Sequence, residues 1–315
     1  MHALIYRQFG NPTVLEWVRD WPDPTVSSYG VLIKSIAGGI NPKDILLRKG
    51  KFSRTLARDP LPRVSGLEVA GEVFEVGDGI SKLAPGDIVF GMTNKFSGGV
   101  HAEFVLLKAN EVARAPSNIS AAEAASIPLA ALTALQALRD QCRLATGQKV
   151  LINGASGGVG HFAVQIARIL GAEVHAVCGP AHLHFVTSLG ADRVYDYTVE
   201  PASSITASFH SVFDVFGNYS RSDFSRQLGR KGVYVSTVPK PVTMWAELVA
   251  NIGISKRSRL VLVRSNTADL NQLREWVQTN QLKPHVEKVF PVTDAHDAHR
   301  HIEGKHTTGK IVLAF

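Results

Sequence analysis

The segment Lys149–Gly171 constrains the fold more than any other part of the chain. Its first apolar residues, Val150 to Ile152, run into a glycine-rich turn, and beyond the turn apolar residues recur at helical spacing. This order of strand, tight loop and helix is the setting in which a glycine-rich loop indicates dinucleotide binding. A nicotinamide dinucleotide would in turn restrict the chemistry to hydride transfer.

The glycine loop has the spacing GxxGxxG, which differs from the GxGxxG of many dinucleotide-binding loops. Glycine permits strained backbone angles and lets a pyrophosphate approach the amides at a helix N-terminus, where the helix dipole favours negative charge. An ordinary strand-to-helix turn would use glycine for its geometry alone. With a second strand at the expected distance, the pattern favours cofactor binding by Gly154, Ser156, Gly157, Gly158, Val159 and Gly160.

The end of the next predicted strand, Glu173–Val177, indicates which dinucleotide is bound. Many NAD-binding proteins place an acidic residue there, which bonds the ribose hydroxyls and would repel a 2′-phosphate. This strand runs instead into Cys178-Gly179-Pro180-Ala181-His182, without a carboxylate. The sequence therefore favours NADPH over NADH. His182 and His184 lie close enough in sequence to meet a 2′-phosphate, and both are equally consistent with ordinary surface histidines.

Two kinds of sequence pattern divide the chain. Residues 1–110 contain short strands separated by turns with Pro, Asn and Gly, as is typical of a β-rich unit such as a partly open barrel. From Ser120, which can form a capping box with Glu123, strands alternate with helices, and this indicates a parallel sheet covered on both faces. The short apolar strand Lys310–Phe315 is expected to complete the sheet of the first unit. The sequence thus predicts an α/β fold with domains at 1–119, completed by 267–315, and at 120–266.

Charge and cysteine content exclude several classes of protein. The formal charge of +7 comes from scattered Lys and Arg side chains, the densest group being Lys256, Arg257 and Arg259, and this favours an anionic cofactor over nucleic acid. Cys142 and Cys178 form no CxxC pair, so neither a disulfide framework nor a cysteine zinc cluster is expected. With no signal peptide and no membrane-spanning apolar run expected, the composition predicts a cytoplasmic protein without an integral membrane segment.

Short motifs occur in order along the whole chain: NPKD (41–44), SGLEVAGEV (65–73), VGDGISKLAPGDIVFG (76–91), GGVHAEF (98–104), IPLAALTA (127–134), NGASGGVG (153–160), SLGADRVYDY (188–197) and GKIVLAF (309–315). On these motifs the chain resembles the zinc-independent quinone oxidoreductase and enone reductase branch of the medium-chain dehydrogenase/reductases, with the chloroplast-envelope homologues among the most similar. The resemblance implies a GroES-like catalytic domain, a Rossmann domain with an active site in the cleft between them, and a homodimer. It also implies reduction of quinones or α,β-unsaturated carbonyls by NADPH.

The chain departs from its zinc-dependent relatives at the metal-binding positions. Those relatives have a cysteine where this chain has Asn41 and a histidine where it has Leu67. Glu68 remains, but one carboxylate cannot complete the usual tetrahedral set of nitrogen and sulfur ligands. The resemblance therefore disfavours zinc-assisted alcohol oxidation, and no metal is predicted.

A rival metal site would use the histidines near the C-terminal end, His296, His299, His301 and His306. His296 and His299 share a face of the predicted helix, whereas His301 does not. The same segment is an ordinary helix in the relatives, so this reading is disfavoured.

The resemblance also implies roles for single residues. Asn41 stands at the vacated ligand position and is a candidate catalytic residue, with capping of the Asn-Pro turn as an equal alternative. Lys43 is the second catalytic candidate, whereas Asp44 fits a turn or helix start. Tyr197 matches a tyrosine that meets the 2′-phosphate, while Ala181 stands where the envelope homologues commonly have a cation. The predicted cofactor-binding set is completed by Thr133, Cys178, Gly179, His182 and Arg264.

These features predict an NADPH-dependent, zinc-independent oxidoreductase that delivers hydride to quinones or to the C=C bond of enones. Negative charge then grows on the substrate oxygen, and without zinc it needs hydrogen-bond donors or cations, one of which is worth ~3 kcal/mol. Two alternatives stay open. One is an NADPH-binding redox sensor or scaffold with little catalysis, and the other is RNA or membrane-surface binding through residues 256–259.

Overall fold

A computed structural model describes residues 1–238, 258–305 and 307–315. By its internal contacts the chain divides into unit 1, Met1–Leu132 with Arg264–Phe315, and unit 2, Thr133–Val263. The sequence placed the boundaries at 119/120 and 266/267. In the structure the chain leaves unit 1 after Leu132 rather than after residue 119. The segment between these positions is held to the sheet of unit 1, where the Leu129 N–H donates to the Glu68 carboxylate at 2.7 Å.

The elements are numbered in chain order. The strands are β1 (Ala3–Tyr6), β2 (Leu15–Val18), β3 (Gly30–Ile40), β4 (Arg63–Val64), β5 (Glu68–Val76), β6 (Ile88–Met92), β7 (Phe104–Lys108), β8 (Val112–Arg114), β9 (Lys149–Asn153), β10 (Glu173–Cys178), β11 (Arg193–Asp196), β12 (Phe209–Asp214), β13 (Leu228–Ser236), β14 (Ser258–Leu260), β15 (Val286–Pro291) and β16 (Lys310–Ala314). The α-helices are α1 (Pro42–Arg48), α2 (Ala121–Ala125), α3 (Pro128–Leu135), α4 (Gly160–Ile169), α5 (Leu183–Ser188), α6 (Thr267–Gln278) and α7 (Ala295–Glu303).

Unit 1 is built on a large, mostly antiparallel sheet. Its strand order is β15-β16-β3-β5-β6-β8, with β7 also paired to β3, and a small sheet β2-β1-β4 accompanies it. Alternate residues of the strands face a core that contains Ile5, Val31, Ile33, Val69, Val73, Val89 and Val105. The C-terminal strand β16 pairs with β3, so the chain returns to unit 1 after unit 2.

Unit 2 is a parallel six-stranded sheet in the order β11-β10-β9-β12-β13-β14. This is the doubly wound arrangement, whose ligands bind beyond the carboxyl ends of the strands where the strand order reverses, here between β9 and β12. Val150, Leu151 and Ile152 are fully buried, as expected for a strand covered on both faces. The predicted α/β fold class is confirmed, with a GroES-like sheet in one unit and a Rossmann-like sheet in the other.

Local signals in the sequence are reproduced with small shifts. Ser120 and Glu123 form the predicted capping box, in which the Ser120 N–H donates to the Glu123 carboxylate at 2.8 Å and Ser120 Oγ accepts from the Glu123 N–H at 3.2 Å. The strand predicted at Glu173–Val177 is observed at Glu173–Cys178, because Cys178 pairs with Asp196 of β11. No helix in the described part of the chain is both long and apolar enough to cross a membrane.

Candidate functional site

The glycine loop follows β9 directly, at the switch point of the unit 2 sheet. Gly154 has φ +84°, a left-handed conformation that favours glycine, and its N–H donates to the Val177 carbonyl at 3.1 Å. At Gly160 a Cβ atom would lie 2.0 Å from the Gly154 carbonyl oxygen and 2.7 Å from Ala155 Cα. The loop therefore closes as tightly as it does only because glycine occupies both ends of the turn.

The outer surface of the loop is open. A Cβ on Gly157 would meet one atom within 4 Å, the Gly154 carbonyl oxygen at 3.6 Å. The N–H groups of Gly158 and Val159, just before α4, make no hydrogen bond within the described part of the chain. Free amides at a helix start and a surface without side chains suit a pyrophosphate, so the residues present fit a bound dinucleotide. Ser156 lies in the same half-buried stretch.

The end of β10 brings together two residues of the predicted ribose side. The Tyr197 N–H donates to the Cys178 carbonyl at 3.1 Å, and a Cβ on Gly179 would lie 3.3 Å from the Tyr197 ring. That ring is 51% exposed and therefore free to meet a ligand on its other face. His182 ends the short 3₁₀ turn Pro180–His182 and is half-buried. Burial raises the pKa of the Cys178 thiol to about 11, so at neutral pH only its backbone suits cofactor binding.

An acidic residue that sequence reasoning missed lies beside this site. Asp196 ends β11 and stands directly opposite Cys178 in the parallel pairing of β10 with β11. Its carboxylate accepts hydrogen bonds from the N–H and the hydroxyl of Thr198, both at 2.8 Å. Asp196 belongs to the strand after β10, so the residues at the end of β10 gave no indication of it. The Asp-Tyr pair at 196–197 was the signal in the sequence.

A second missed residue is Asp214, the last residue of β12. Its buried carboxylate accepts hydrogen bonds from the Asn153 amide (2.8 Å), the Gly217 and Tyr219 N–H groups (2.8 and 3.0 Å) and the Tyr234 hydroxyl (2.7 Å). Four donors satisfy a buried charge, and they shape the loop after β12 beside the switch point. An acidic residue directly after a buried apolar strand was the signal in the sequence.

Thr133 and Arg264 occupy the two places where the chain passes from one unit to the other. Thr133 lies in α3 and is 5% exposed, whereas Arg264 is exposed. The next residue, Ser265, is anchored in unit 1, where its N–H donates to Asn94 at 2.8 Å and its hydroxyl to the Glu111 carbonyl at 3.0 Å. The roles of Thr133 and Arg264 toward the cofactor stay predictions.

In unit 1, three polar residues meet at one end of the neighbouring strands β16, β3 and β5. Lys310 begins β16, Glu68 begins β5, and Asn41 follows β3; each is at most 3% exposed. The Lys310 ammonium contacts Glu68 Oε1 at 2.7 Å and Asn41 Oδ1 at 2.5 Å, and Asn41 Nδ2 donates to Glu68 Oε1 at 2.8 Å. Gly39 stands opposite Glu68 in the β3–β5 pairing, where a Cβ would lie 2.3 Å from Oε1, so glycine makes room for the carboxylate.

The structure separates the two roles that the sequence allowed for Asn41. The carboxylate of Asp44 caps α1, because Asp44 Oδ2 accepts the Asn41 backbone N–H at 2.8 Å. The Asn41 side chain instead donates to Glu68 and accepts from Lys310. Burial raises the pKa of Asp44 to about 7, against the lowering effect of that backbone hydrogen bond. Asp44 is thus the helix-start residue that the sequence suggested.

Lys43 is the second residue of α1, and its side chain lies against an aromatic ring. Its ammonium is 4.0 Å from the centre of the Phe96 ring, and Phe52 packs edge-on against Phe96 at 5.4 Å between ring centres. Burial lowers the pKa of Lys43, and the nearby Asp44 works against this. Phe52 is half-buried and has φ +79°, a left-handed conformation that is rare for an aromatic residue. Strain of this kind is concentrated at functional sites.

The residues at the zinc-ligand positions do not suit a zinc ion. Leu67 is fully buried and apolar, Asn41 Oδ1 and Glu68 Oε1 accept from the ammonium of Lys310, and Glu68 Oε2 accepts from the Leu129 N–H. A second cation between them would be repelled by that ammonium, and among the described residues no nitrogen or sulfur ligand completes the set. Within the described residues, no three His, Cys, Asp or Glu side chains converge as a metal site would require.

The C-terminal histidines have separate surroundings. His296 Nε2 is 2.7 Å from the Leu15 carbonyl, and His301 Nε2 is 2.8 Å from Glu287 Oε1. His299 is fully buried, and neither ring nitrogen has a hydrogen-bond partner among the residues that the structure describes. His306 lies outside the described residues, as do Lys256 and Arg257 of the basic group, whereas Arg259 Nη1 donates to the Gln141 carbonyl at 2.7 Å.

We expect His299→Leu to stabilise the protein increasingly as the pH falls. Burial, reinforced by the positive charge of Arg48, lowers the pKa of His299 well below its usual 6.5. Below pH 6.5 the unfolded chain binds a proton at His299 that the folded chain does not. The free energy of unfolding of the wild type is therefore independent of His299 above that pH and falls as the pH drops below it. The variant's advantage should grow by roughly 1.4 kcal/mol per pH unit below 6.5.

Urea unfolding of both proteins at pH 8, 6 and 5 gives the free energy of unfolding of each. The difference between the two values at each pH is the advantage of the variant, because titratable groups that the two proteins share contribute equally to both. His301→Leu is the control, because its imidazole is partly exposed and paired with Glu287. An advantage that stays constant between pH 8 and pH 5 would show that His299 is not buried in its neutral form.

Comparison with known proteins finds relatives along the whole chain. Residues 27–117 match the alcohol dehydrogenase GroES-like domain family and residues 189–313 the zinc-binding dehydrogenase family. A chloroplast envelope quinone oxidoreductase homologue of Arabidopsis thaliana is 35% identical over 99% of this chain and 98% of its own. The NADPH-dependent alkenal/one oxidoreductase of the same plant is 31% identical over 99% of this chain and 79% of its own. The solved quinone oxidoreductase of Coxiella burnetii, 31% identical, superimposes with a TM-score of 0.90 over 100% of this chain and 99% of its own.

Proposed function

The chain belongs to the quinone oxidoreductase branch of the medium-chain dehydrogenase/reductase superfamily, and on that premise we propose that it reduces quinones or α,β-unsaturated carbonyls with NADPH, without zinc. The observation that carries the proposal is the buried cluster of Asn41, Glu68 and Lys310, in which an ammonium engages the oxygens that zinc would need. The open glycine loop of unit 2 supports the nicotinamide cofactor.

Unit 1 supplies the groups that would act on the substrate. A bound nicotinamide supplies a hydride to an electron-poor carbon of the substrate. The substrate oxygen gains negative charge as that carbon is reduced, and the Asn41 amide N–H and the Lys43 ammonium stabilise the charge, each donor being worth ~3 kcal/mol. Lys43 also donates the proton that completes the product, a role that its lowered pKa favours.

Unit 2 supplies the cofactor-binding residues. The loop Gly154–Gly160 holds the pyrophosphate by its free amides, while Gly179, His182 and Tyr197 meet the adenosine ribose. NADPH is preferred because no carboxylate ends β10. Thr133 is assigned to the nicotinamide side and Arg264 to a phosphate. We also infer a homodimer from the resemblance, and a cytoplasmic location from the two unpaired, buried cysteines.

The test is loss of NADPH absorbance with a panel of 2-alkenals, enones and 1,4-quinones, in buffer that contains a metal chelator. Turnover of at least one class is expected, with a lower KM for NADPH than for NADH. Tight NADPH binding without turnover across the panel would contradict the proposal and indicate the alternative, a cofactor-binding sensor or scaffold.

Lys43→Met is expected to lower kcat by ~10²-fold, the usual contribution of a positioned acid, with the Kd for NADPH unchanged. Because the acid form of Lys43 is required, wild-type kcat should fall at alkaline pH, through a pKa below that of an ordinary lysine, and this decline should vanish in the variant. Lys51→Met, which removes an exposed lysine eight residues further on, is the matched control and should retain wild-type kcat. Equal rates in the two variants would remove Lys43 from the mechanism.

A further inference from the structure

The mechanism leaves two buried charges of unit 1 without a part in the reaction. Lys310 and Glu68 are 3% and 0% exposed, and a buried ion pair is weak evidence for stability, since an apolar pair of similar volume often does as well. Their shared neighbour is Asn41, the residue assigned above to the substrate oxygen. We propose, on the basis of that assigned function, that Lys310 and Glu68 are positioning residues that hold the Asn41 amide in the orientation that presents an N–H to the substrate.

Lys310 has no N–H left to donate to a substrate while the cluster is intact. An ammonium has three N–H donors. Here three oxygens accept them: the Ile40 carbonyl at 3.3 Å, Asn41 Oδ1 at 2.5 Å and Glu68 Oε1 at 2.7 Å. Glu68 is equally occupied, because its second oxygen accepts the Leu129 N–H at 2.7 Å. Because neither side chain has a hydrogen-bonding group left for the substrate, the pair reaches the substrate oxygen through Asn41, the side chain that both of them contact.

The two charges determine which way the amide points. Its oxygen faces the ammonium, and its nitrogen faces the carboxylate at 2.8 Å. A rotation by half a turn would put the NH₂ group against the ammonium and the oxygen against the carboxylate, and both contacts would be repulsive. Because the cluster is buried, little water screens these contacts, and the preference is strong.

This orientation leaves one donor for a ligand. The Asn41 nitrogen carries two hydrogens, one of which goes to Glu68, and the other has no hydrogen-bond partner within residues 1–238, 258–305 and 307–315. The flipped amide would instead offer its oxygen, which would repel a substrate oxygen that is gaining negative charge. The pair thus fixes Asn41 as a donor.

A double-mutant cycle on kcat tests the proposal. Its corners are the wild type, Asn41→Ala, the pair variant Glu68→Gln/Lys310→Met, and the triple variant. Asn41→Ala should lower kcat by ~10²-fold, as loss of one oxyanion donor does, and the pair variant by ~10-fold or more. The triple variant should be no slower than Asn41→Ala, because the pair acts only through that amide. The Kd for NADPH should stay within ~2-fold throughout, because the glycine loop is untouched.

The matched control is Arg48→Met/Glu303→Gln, which removes another ion pair of unit 1 with a fully buried cation. This control variant should keep the wild-type kcat even if its free energy of unfolding falls. It therefore distinguishes a loss of stability from a loss of the Asn41 orientation. Lys310→Arg is a second variant that keeps the charge, and its kcat should stay within ~5-fold of wild type if the cation is what orients Asn41.

The outcomes are distinct. Multiplicative losses in the triple variant would overturn the proposal while leaving the proposed function intact, since the pair would then act independently of Asn41. The proposal would also be overturned if Lys310→Arg lowered kcat as much as Asn41→Ala does while stability and NADPH binding were retained. A wild-type protein that reduces no quinone or enone would overturn the proposed function and this inference together.

Discussion

Lys310→Met should lower the free energy of unfolding by about 3–5 kcal/mol, the usual loss when one partner of a buried ion pair is removed. Glu68 would remain in place with its charge, at 0% exposure, and its remaining hydrogen bonds within the described part of the chain would come from Asn41 and Leu129. Neither donor carries a charge, so the carboxylate would be left uncompensated. Urea unfolding at neutral pH, with fluorescence and circular dichroism followed together, measures the loss.

Two variants set the scale of this loss. Glu68→Gln/Lys310→Met removes both charges and should recover most of the stability, because a neutral amide is far less costly to bury. Arg7→Met breaks the exposed pair with Glu16 and should change stability by less than about 1 kcal/mol. If Lys310→Met were as mild as Arg7→Met, water would have to reach the cluster.

Gly160→Ala should destabilise the protein by about 3 kcal/mol, at the upper end for overpacking, and abolish NADPH binding. The added methyl would lie 2.0 Å from the Gly154 carbonyl oxygen and 2.7 Å from Ala155 Cα, and both neighbours are backbone atoms that move only if the loop opens. An opened loop no longer directs its amides at a pyrophosphate. Urea unfolding and titration of NADPH fluorescence give the two values.

Gly157→Ala is the matched variant for this prediction, with the same chemical change three residues earlier. Its methyl would project into open space, 3.6 Å from the nearest atom, so the folded state should lose less than about 1 kcal/mol. NADPH binding should still weaken, because the methyl covers the surface on which the pyrophosphate would rest. Equal stability losses at the two positions would show that the loop has a different conformation.

Much of the fold was predictable because its signals are local. The alternation of strands and helices after residue 120, the Ser120 cap and the glycine loop are each contained in a short stretch of chain. The hydrogen bonds that hold the loop go to Gly154 in the loop itself and to Val177 in the next strand, so a motif confined to one strand-helix-strand unit was enough to locate it. The ends of β10 and β16 differ from the predicted ends by one residue, since pairing partners elsewhere in the sheet decide where a strand ends.

The polar clusters were not predictable in the same way. Asn41, Glu68 and Lys310 each stood in a recognisable motif, but their side chains meet only because β16, β3 and β5 are neighbours in one sheet. Asp196 and Asp214 are similar cases, as each ends one strand and acts beside the end of another. Sequence spacing contains no information on which strands become neighbours when they are 27 or 242 residues apart.

The sequence by itself therefore determined the class of fold, the position of the glycine loop and the absence of the usual zinc ligands at positions 41 and 67. These depend on residue types within single segments, where backbone geometry and side-chain chemistry act locally. Only the tertiary structure decided that a lysine 269 residues away contacts Asn41, and that Asp44 performs the cap that Asn41 was equally able to make. Electrostatic contacts act over a few ångströms in space, and folding alone brings such distant residues within that range.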